Sequence, residues 1–274
     1  MLSVSLGAAL LALFATPALG QVTSDCNPME RDGCPANPAF GTAHAFDLAQ
    51  EPSEALWEQT VRGVEFDSEH GALFTISNEG ESPTLRTMFY FFYGRTEIHM
   101  KCAQGTGIIS STMWLSDVLD EVDFEMFGTK GTLSASNYFG KGVQKFTNGG
   151  EHTVSGDIRD AYHNYTTVWT AEKLEWWIDG AKVRTLVPDD AKNSTTNESY
   201  YPQTPMRLSI GIWAGGDPDL PEGTRQWAGG DTDYTKSPFT MYVKNVTVED
   251  YTTGAKEYTY SDRTGSADSI KSTG

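Results

Sequence analysis

Apolar residues along this chain recur at every second position in short runs, and clusters of Gly, Asp, Asn and Pro separate the runs. That period marks half-buried β-strands, whose side chains point alternately to opposite faces. The 3.6-residue period of an amphipathic helix is nearly absent. The pattern predicts strands at 71–77, 87–102, 108–115, 120–127, 132–139, 152–157, 166–169, 174–178, 182–185, 206–213, 240–248 and 257–260. Asp179-Gly180, between Trp176-Trp177-Ile178 and Ala181-Lys182-Val183, predicts a two-residue type I′ hairpin, where both central residues need positive φ. Strands without helices predict an all-β, two-sheet β-sandwich. No repeat or linker divides the middle of the chain, so a single domain is expected for its 274 residues. Residues 262–274 are rich in Ser, Gly and Asp and are expected to form a flexible tail.

The first twenty residues change the picture. They are uncharged, rich in Leu and Ala, and end in Ala18-Leu19-Gly20, the form of a secretory signal peptide cleaved before Gln21. Such a run is short for a membrane span, which needs about 20 apolar residues. Four acceptor sequons, at Asn164, Asn193, Asn197 and Asn245, agree with a secreted glycoprotein. Cys26 and Cys34 flank a Pro-containing loop and are expected to pair as a disulfide, leaving Cys102 as a small buried hydrophobe.

A net charge of −17 argues against nucleic-acid partners, whose phosphates it would repel. A neutral or weakly cationic polymer is compatible with it. The five scattered histidines and three cysteines offer no ligand spacing for zinc, and no metal or cofactor is expected. Gly105-Thr106-Gly107 is an incomplete nucleotide loop, and no GxSxG elbow is present.

One stretch carries chemistry. In Asp120-Glu121-Val122-Asp123-Phe124-Glu125-Met126-Phe127, strand alternation puts Glu121, Asp123 and Glu125 on one face and Val122, Phe124 and Met126 on the other. Three neighbouring acids repel one another and have poor β-propensity, so stability does not explain them. A solvated edge or a calcium site is the alternative. Glycoside cleavage with retention needs two carboxyl groups about 5–5.5 Å apart across a sugar. The Cα atoms of Glu121 and Glu125 lie about 13 Å apart on a flat strand, and long side chains on a concave sheet can close much of that gap. An acid between them can hydrogen-bond the nucleophile and hold its neighbours at different pKa values.

Glu121-Val122-Asp123-Phe124-Glu125 resembles the E-x-D-x-E strand of glycoside hydrolase family 16. Further segments resemble its fungal Crh-type cell-wall transglycosylases: Phe92-Tyr93-Gly94-Arg95, Asn137-Tyr138-Phe139-Gly140-Lys141-Gly142, Trp177-Ile178-Asp179-Gly180, Ile212-Trp213-Ala214-Gly215-Gly216 and Trp227-Ala228-Gly229-Gly230. The resemblance implies a concanavalin-like jelly roll over residues 21–262 with a glycan cleft on its concave face. It implies Glu121 as nucleophile, Glu125 as general acid/base and Asp123 as assistant. It also implies a chitin donor, a β-1,3- or β-1,6-glucan or chitin acceptor, and a place in the cell wall. Many relatives carry a glycolipid-anchor signal, which this sequence does not show.

Sugar rings stack on aromatic faces. Strand parity puts Arg207, Ser209, Gly211 and Trp213 on one face, opposite Leu208, Ile210 and Ile212. Arg207, Ser209 and Trp213 are therefore candidate cleft residues, joined by Thr224 and Trp227 in the next Gly-rich loop and by Tyr138 on the acceptor side. Trp176 and Trp177 must face opposite ways, so at most one reaches the cleft. A transglycosylase, a plain hydrolase and a lectin-like binder remain open on these residues, each expected to act as a monomer.

Overall fold

The computed structural model describes residues 24–61 and 63–274; the segment read as a signal peptide lies outside them. A seven-stranded sheet runs, edge to edge, through Gly150–Thr153, Leu133–Phe139, Glu121–Phe127, Ile108–Ser116, Met206–Ala214, Thr84–Thr87 and Trp57–Val61. Its partner runs through Ala181–Leu186, Leu174–Ile178, His163–Trp169, Gly94–Lys101, Phe239–Asp250, Gly71–Ile76 and Val64–Asp67, with Ala43–Asp47 also paired to Phe239–Asp250. Every ladder between these strands is antiparallel. The expected two-sheet sandwich is the fold found.

The core lies between the two sheets, as alternation requires. Trp114, Phe124, Met126 and Leu208 from one sheet meet Ile98, Tyr165, Trp169 and Trp176 from the other, all essentially buried. Cys102 is free and buried, its thiol pushed up to about 12 by desolvation. Cys26 and Cys34 form the expected disulfide. Asp179 and Gly180 both have positive φ, 50° and 77°, as the type I′ turn demands. Asp179 then caps its neighbours, accepting hydrogen bonds from the Asn164 amide at 2.8 Å and contacting His163 Nδ1 at 2.6 Å.

The structure departs from the sequence expectations in several places. Strands Ala43–Asp47, Trp57–Val61 and Val64–Asp67 were not expected, and the strand expected at 152–157 is Gly150–Thr153. Three further differences bear on the site and the termini. The run 87–102 is two strands, Thr84–Thr87 and Gly94–Lys101, broken where Tyr93 takes φ +56° and Gly94 φ +153°. A Cβ at Gly94 would sit 2.2 Å from the Glu249 carbonyl oxygen, so only glycine fits that crossing. The loop carrying Thr224 and Trp227 contains a short helix, Glu222–Trp227. Residues 262–274 are no loose tail: Ile270–Thr273 pairs with Glu257–Tyr260, which pairs with Asn37–Pro38. Ile270 packs against buried Tyr258 and Tyr90, and Arg263 donates to Asp32 at 2.8 Å, tying the segment to the disulfide loop.

Candidate active site

The acids stand on the face of the seven-stranded sheet that points away from the core. Val122, Phe124 and Met126 are buried between the sheets, while Glu121 and Glu125 are half-buried on the other side and Asp123 is 7% exposed between them. Residues directly opposite in an antiparallel ladder share a face, so the register maps this surface in rows. Glu121 lies between Phe139 and Leu115, and Arg207 follows Leu115. Asp123 lies between Asn137 and Met113, followed by Ser209, Arg86 and Glu58. Glu125 lies between Ala135 and Ser111, followed by Gly211 and Thr84. Phe127 sits beside Ile109, followed by Trp213.

That last row grows into an aromatic bank. Trp227 stacks on Trp213 with ring centres 5.9 Å apart at 21°, and meets the Phe127 ring edge-on at 5.0 Å. Trp227 keeps 40% of its surface in solvent. Thr224 is one turn earlier on the same short helix, where its carbonyl accepts the Ala228 amide at 2.9 Å. Arg207 shares the face but leans to the sheet edge, 3.7 Å from Glu58 and over the Tyr90 ring at 5.0 Å. Ser209 is on the floor of the face, nearly buried.

Tyr138 does not belong here. It pairs with Val122, so it points inward and is 5% exposed, under the Arg184 guanidinium. Its neighbours Asn137 and Phe139 have the parity that reaches the acids. Neither tryptophan of the 176–177 pair reaches them either. Trp177 faces the far side of the eight-stranded sheet beside Lys182, and Trp176 is fully buried.

Trp176 still bears on the site from below. Its indole N–H donates to the Asp123 carbonyl oxygen at 3.1 Å, and Arg184 covers its ring at 4.7 Å. Asp120 is a second support the sequence did not single out. Wholly buried at the start of the acidic strand, it accepts from the Lys141 amide at 3.0 Å, the Gln203 amide at 2.9 Å and the Thr204 hydroxyl at 2.7 Å. Burial lifts its carboxyl to about 6 in spite of those donors.

Burial is also the largest influence on the three surface acids. It lifts Glu125 to about 8, with repulsion from Glu121 adding to it. It lifts Glu121 to about 7, while a hydrogen bond with Asp123 pulls the other way. Asp123, pressed by burial and by the charge of both glutamates, is driven well above the ordinary carboxylate range. Three carboxyls this close cannot all ionise together, so the group keeps at least one proton while a neighbour is charged. A carboxylate beside a carboxylic acid is the pair that double displacement at a sugar requires.

Residues 51–229 match the glycosyl hydrolases family 16. The chain belongs to that family. Relatives of the family 16 chain include Crh-like protein 5 of Aspergillus fumigatus, 44% identical over 96% of this chain and 65% of that protein. Crh-like protein 2 of Botryotinia fuckeliana is 43% identical over 97% of this chain and 57% of its own length. The chain thus spans less than two thirds of these relatives. Among solved structures, a Crh5 transglycosylase superposes with TM-score 0.84 at 45% identity, over 90% of this chain and all of that one. A Bacillus licheniformis β-glucanase, 20% identical with TM-score 0.63 over 77% of this chain and 99% of its own, shares the fold.

The Trp176 bond gives a first test of how the family 16 strand is held. Trp176→Phe keeps an aromatic ring in the core while removing the N–H donor, worth about 1 kcal/mol, together with part of the buried indole. The expected result is a kcat lowered by roughly tenfold with KM unchanged, because a displaced acidic strand costs alignment and not binding. An unchanged kcat, or a rise in KM alone, would refute a positioning role.

Proposed function

We propose that this chain is the catalytic domain of a retaining transglycosylase, which cleaves chitin and joins the fragment to β-1,3- or β-1,6-glucan, or to chitin, cross-linking the fungal cell wall. The observation that carries it is the column Glu121-Asp123-Glu125 on one open face, with all three carboxyls lifted by burial. The Glu121 carboxylate attacks the anomeric carbon while Glu125 gives its proton to the departing oxygen. The glycosidic bond breaks and a glycosyl ester forms on Glu121. Glu125, now ionised, takes the proton of an incoming sugar hydroxyl. That oxygen displaces Glu121, and the cycle closes with Glu125 protonated again. Asp123 donates to the Glu121 carboxylate and fixes its orientation. Trp213 and Trp227 offer stacking faces to the chain, with Ser209, Arg207 and Thr224 as polar flanks. A relative solved as a Crh5 transglycosylase in complex with NAG supports transfer and the binding of N-acetylglucosamine.

The setting proposed with it is secretion after cleavage before Gln21, with N-glycans on Asn164, Asn193, Asn197 and Asn245. The enzyme then works as a monomer without cofactor, in the wall or tethered by a glycolipid in a longer form.

Mass spectrometry of products tests the activity. Chitin oligosaccharides are incubated with the protein, with and without a labelled β-1,3-glucan oligosaccharide. Hybrid products establish transfer. Shortened chitin alone would replace transfer by hydrolysis, in which water attacks the same ester, and unchanged chitin would remove both. Binding without turnover would leave a lectin.

The pH profile follows from the two glutamates. Activity is lost as pH falls through the Glu121 value, about 7, and as it rises through the Glu125 value, about 8. A bell-shaped kcat/KM is therefore expected, its limbs belonging to the interacting group of acids. With an activated aryl glycoside, Glu125→Gln should lose the alkaline limb and keep the acid one. A profile that is flat on its alkaline side in the wild type would refute the assignment of Glu125.

A further inference from the structure

On the outer face of the eight-stranded sheet, far from the acids, strand Phe239–Asp250 departs from simple alternation. Its register against Gly94–Lys101 shifts between Val243 and Asn245. The resulting bulge leaves two consecutive side chains, Lys244 and Asn245, exposed. Gly71 permits this: a Cβ there would lie 2.2 Å from the Val243 carbonyl oxygen and 2.8 Å from the Lys244 Cα. Lys244 places its ammonium 4.6 Å from the centre of the Tyr162 ring and, with Asn245, also lines the neighbouring groove. That open groove has a volume of about 410 Å3, and its lining includes Ala45, Asp47, Ser68, Glu69 and Gly71. Asp47 stands directly opposite Asn245 in the ladder, where Cβ atoms on one face are about 5 Å apart.

Asn245-Val246-Thr247 has the acceptor pattern for N-glycosylation. We infer that Asn245 carries an N-linked glycan and that this groove seats its first N-acetylglucosamine units. Attachment joins the Asn245 amide nitrogen to the anomeric carbon of a lipid-diphosphate-linked oligosaccharide. The amide loses one proton to the transferring enzyme's base, and the lipid diphosphate departs with the bonding pair. The floor suits the sugar. Asp47, Ser68 and Glu69 offer acceptors to hydroxyl and acetamido N–H groups, and the small side chain of Ala45 leaves room for a sugar ring. The inference rests on the proposal that the chain is secreted.

The same face holds a second acceptor in register. Asn164 and Asn245 flank His99 from the two neighbouring strands, about 10 Å apart across two strand spacings. Glycans leaving from here keep clear of the acidic face on the other sheet.

The test uses the full chain secreted from a fungal host. Peptide mapping after deglycosylation in heavy-oxygen water reads occupancy at all four sequons. The expected result is a mass increment on the Asn245 peptide. A bare Asn245 on the secreted chain would overturn the site; absence of the chain from the culture medium would overturn the secretion on which it rests. Thermal unfolding then reads the seat. An endoglycosidase that leaves one N-acetylglucosamine should hold Tm within about 1 °C, whereas complete removal should lower it by about 3 °C. Thr247→Ala, which abolishes the acceptor and spares Asn245, should match complete removal, and Thr247→Ser should restore the glycan and the Tm. Equal Tm in all forms would overturn the seat.

Discussion

Glu121→Gly lowers turnover of an activated β-glycoside by about 10^5-fold, and azide restores product with inverted configuration at the anomeric carbon. The reasoning starts from position. Glu121 faces away from the core, between Phe139 and Leu115 on an open surface, so its removal leaves the packing of Val122 and Phe124 intact. The space it vacates admits a small anion, which attacks the anomeric carbon directly, a single displacement giving an α-glycosyl azide. Glu125→Ala behaves differently. Glu121 still forms its ester with an activated leaving group, and azide displaces that ester to give the β-glycosyl azide. The two stereochemical outcomes separate nucleophile from acid/base, which loss of activity alone does not. Chromatography against the two azide standards reads them. A β product from Glu121→Gly, or more than a tenth of wild-type turnover, would end the assignment of roles.

The acidic strand was legible because it breaks a rule. Three acids on alternate positions of a strand have no use in stability, and the apolar set between them, Val122, Phe124 and Met126, shows which face is the core. The same parity argument placed Arg207, Ser209 and Trp213 on one face, and the ladder puts that face beside the acids. Where parity had no partner, the sequence was silent or misleading. Tyr138 looked like a cleft aromatic, yet its pairing with Val122 turns it inward, and nothing local to residue 138 reveals that register. Asn137 and Ser111 went unnoticed for the same reason: only cross-strand pairing places them beside Asp123 and Glu125. Trp176 and Trp177 alternate by necessity, but which one lies under the site depends on the sheet stacking. The last strand, Ile270–Thr273, carries a single apolar anchor, Ile270. Period-two counting does not detect a strand so short, and its order comes from Glu257–Tyr260 beside it and from the Arg263–Asp32 contact.

Glu125→Gln should make the protein more stable at pH 8 and no more stable at pH 4. In the fold the Glu125 carboxyl is raised to about 8 from its ordinary value of 4.5, burial being the main cause and Glu121 the second. The folded chain therefore holds a proton that the unfolded chain has already released across this window. Stability is fully present below pH 4.5, and falls as pH rises through the window toward 8. Glutamine keeps the size and hydrogen-bonding capacity of the acid and never ionises, so the loss disappears. Discounted for the solvent that still reaches this half-buried side chain, the gain at pH 8 is on the order of 2 kcal/mol, or about 4–8 °C in Tm for a chain of this size. Thermal unfolding of wild type and variant at both pH values measures it. A gain of equal size at pH 4 and pH 8 would trace to packing and refute the electrostatic origin. The variant would also lack the proton donor proposed for catalysis, so stability and turnover should move in opposite directions at one residue. That opposition separates an acid kept buried for chemistry from one that merely decorates an exposed sheet face.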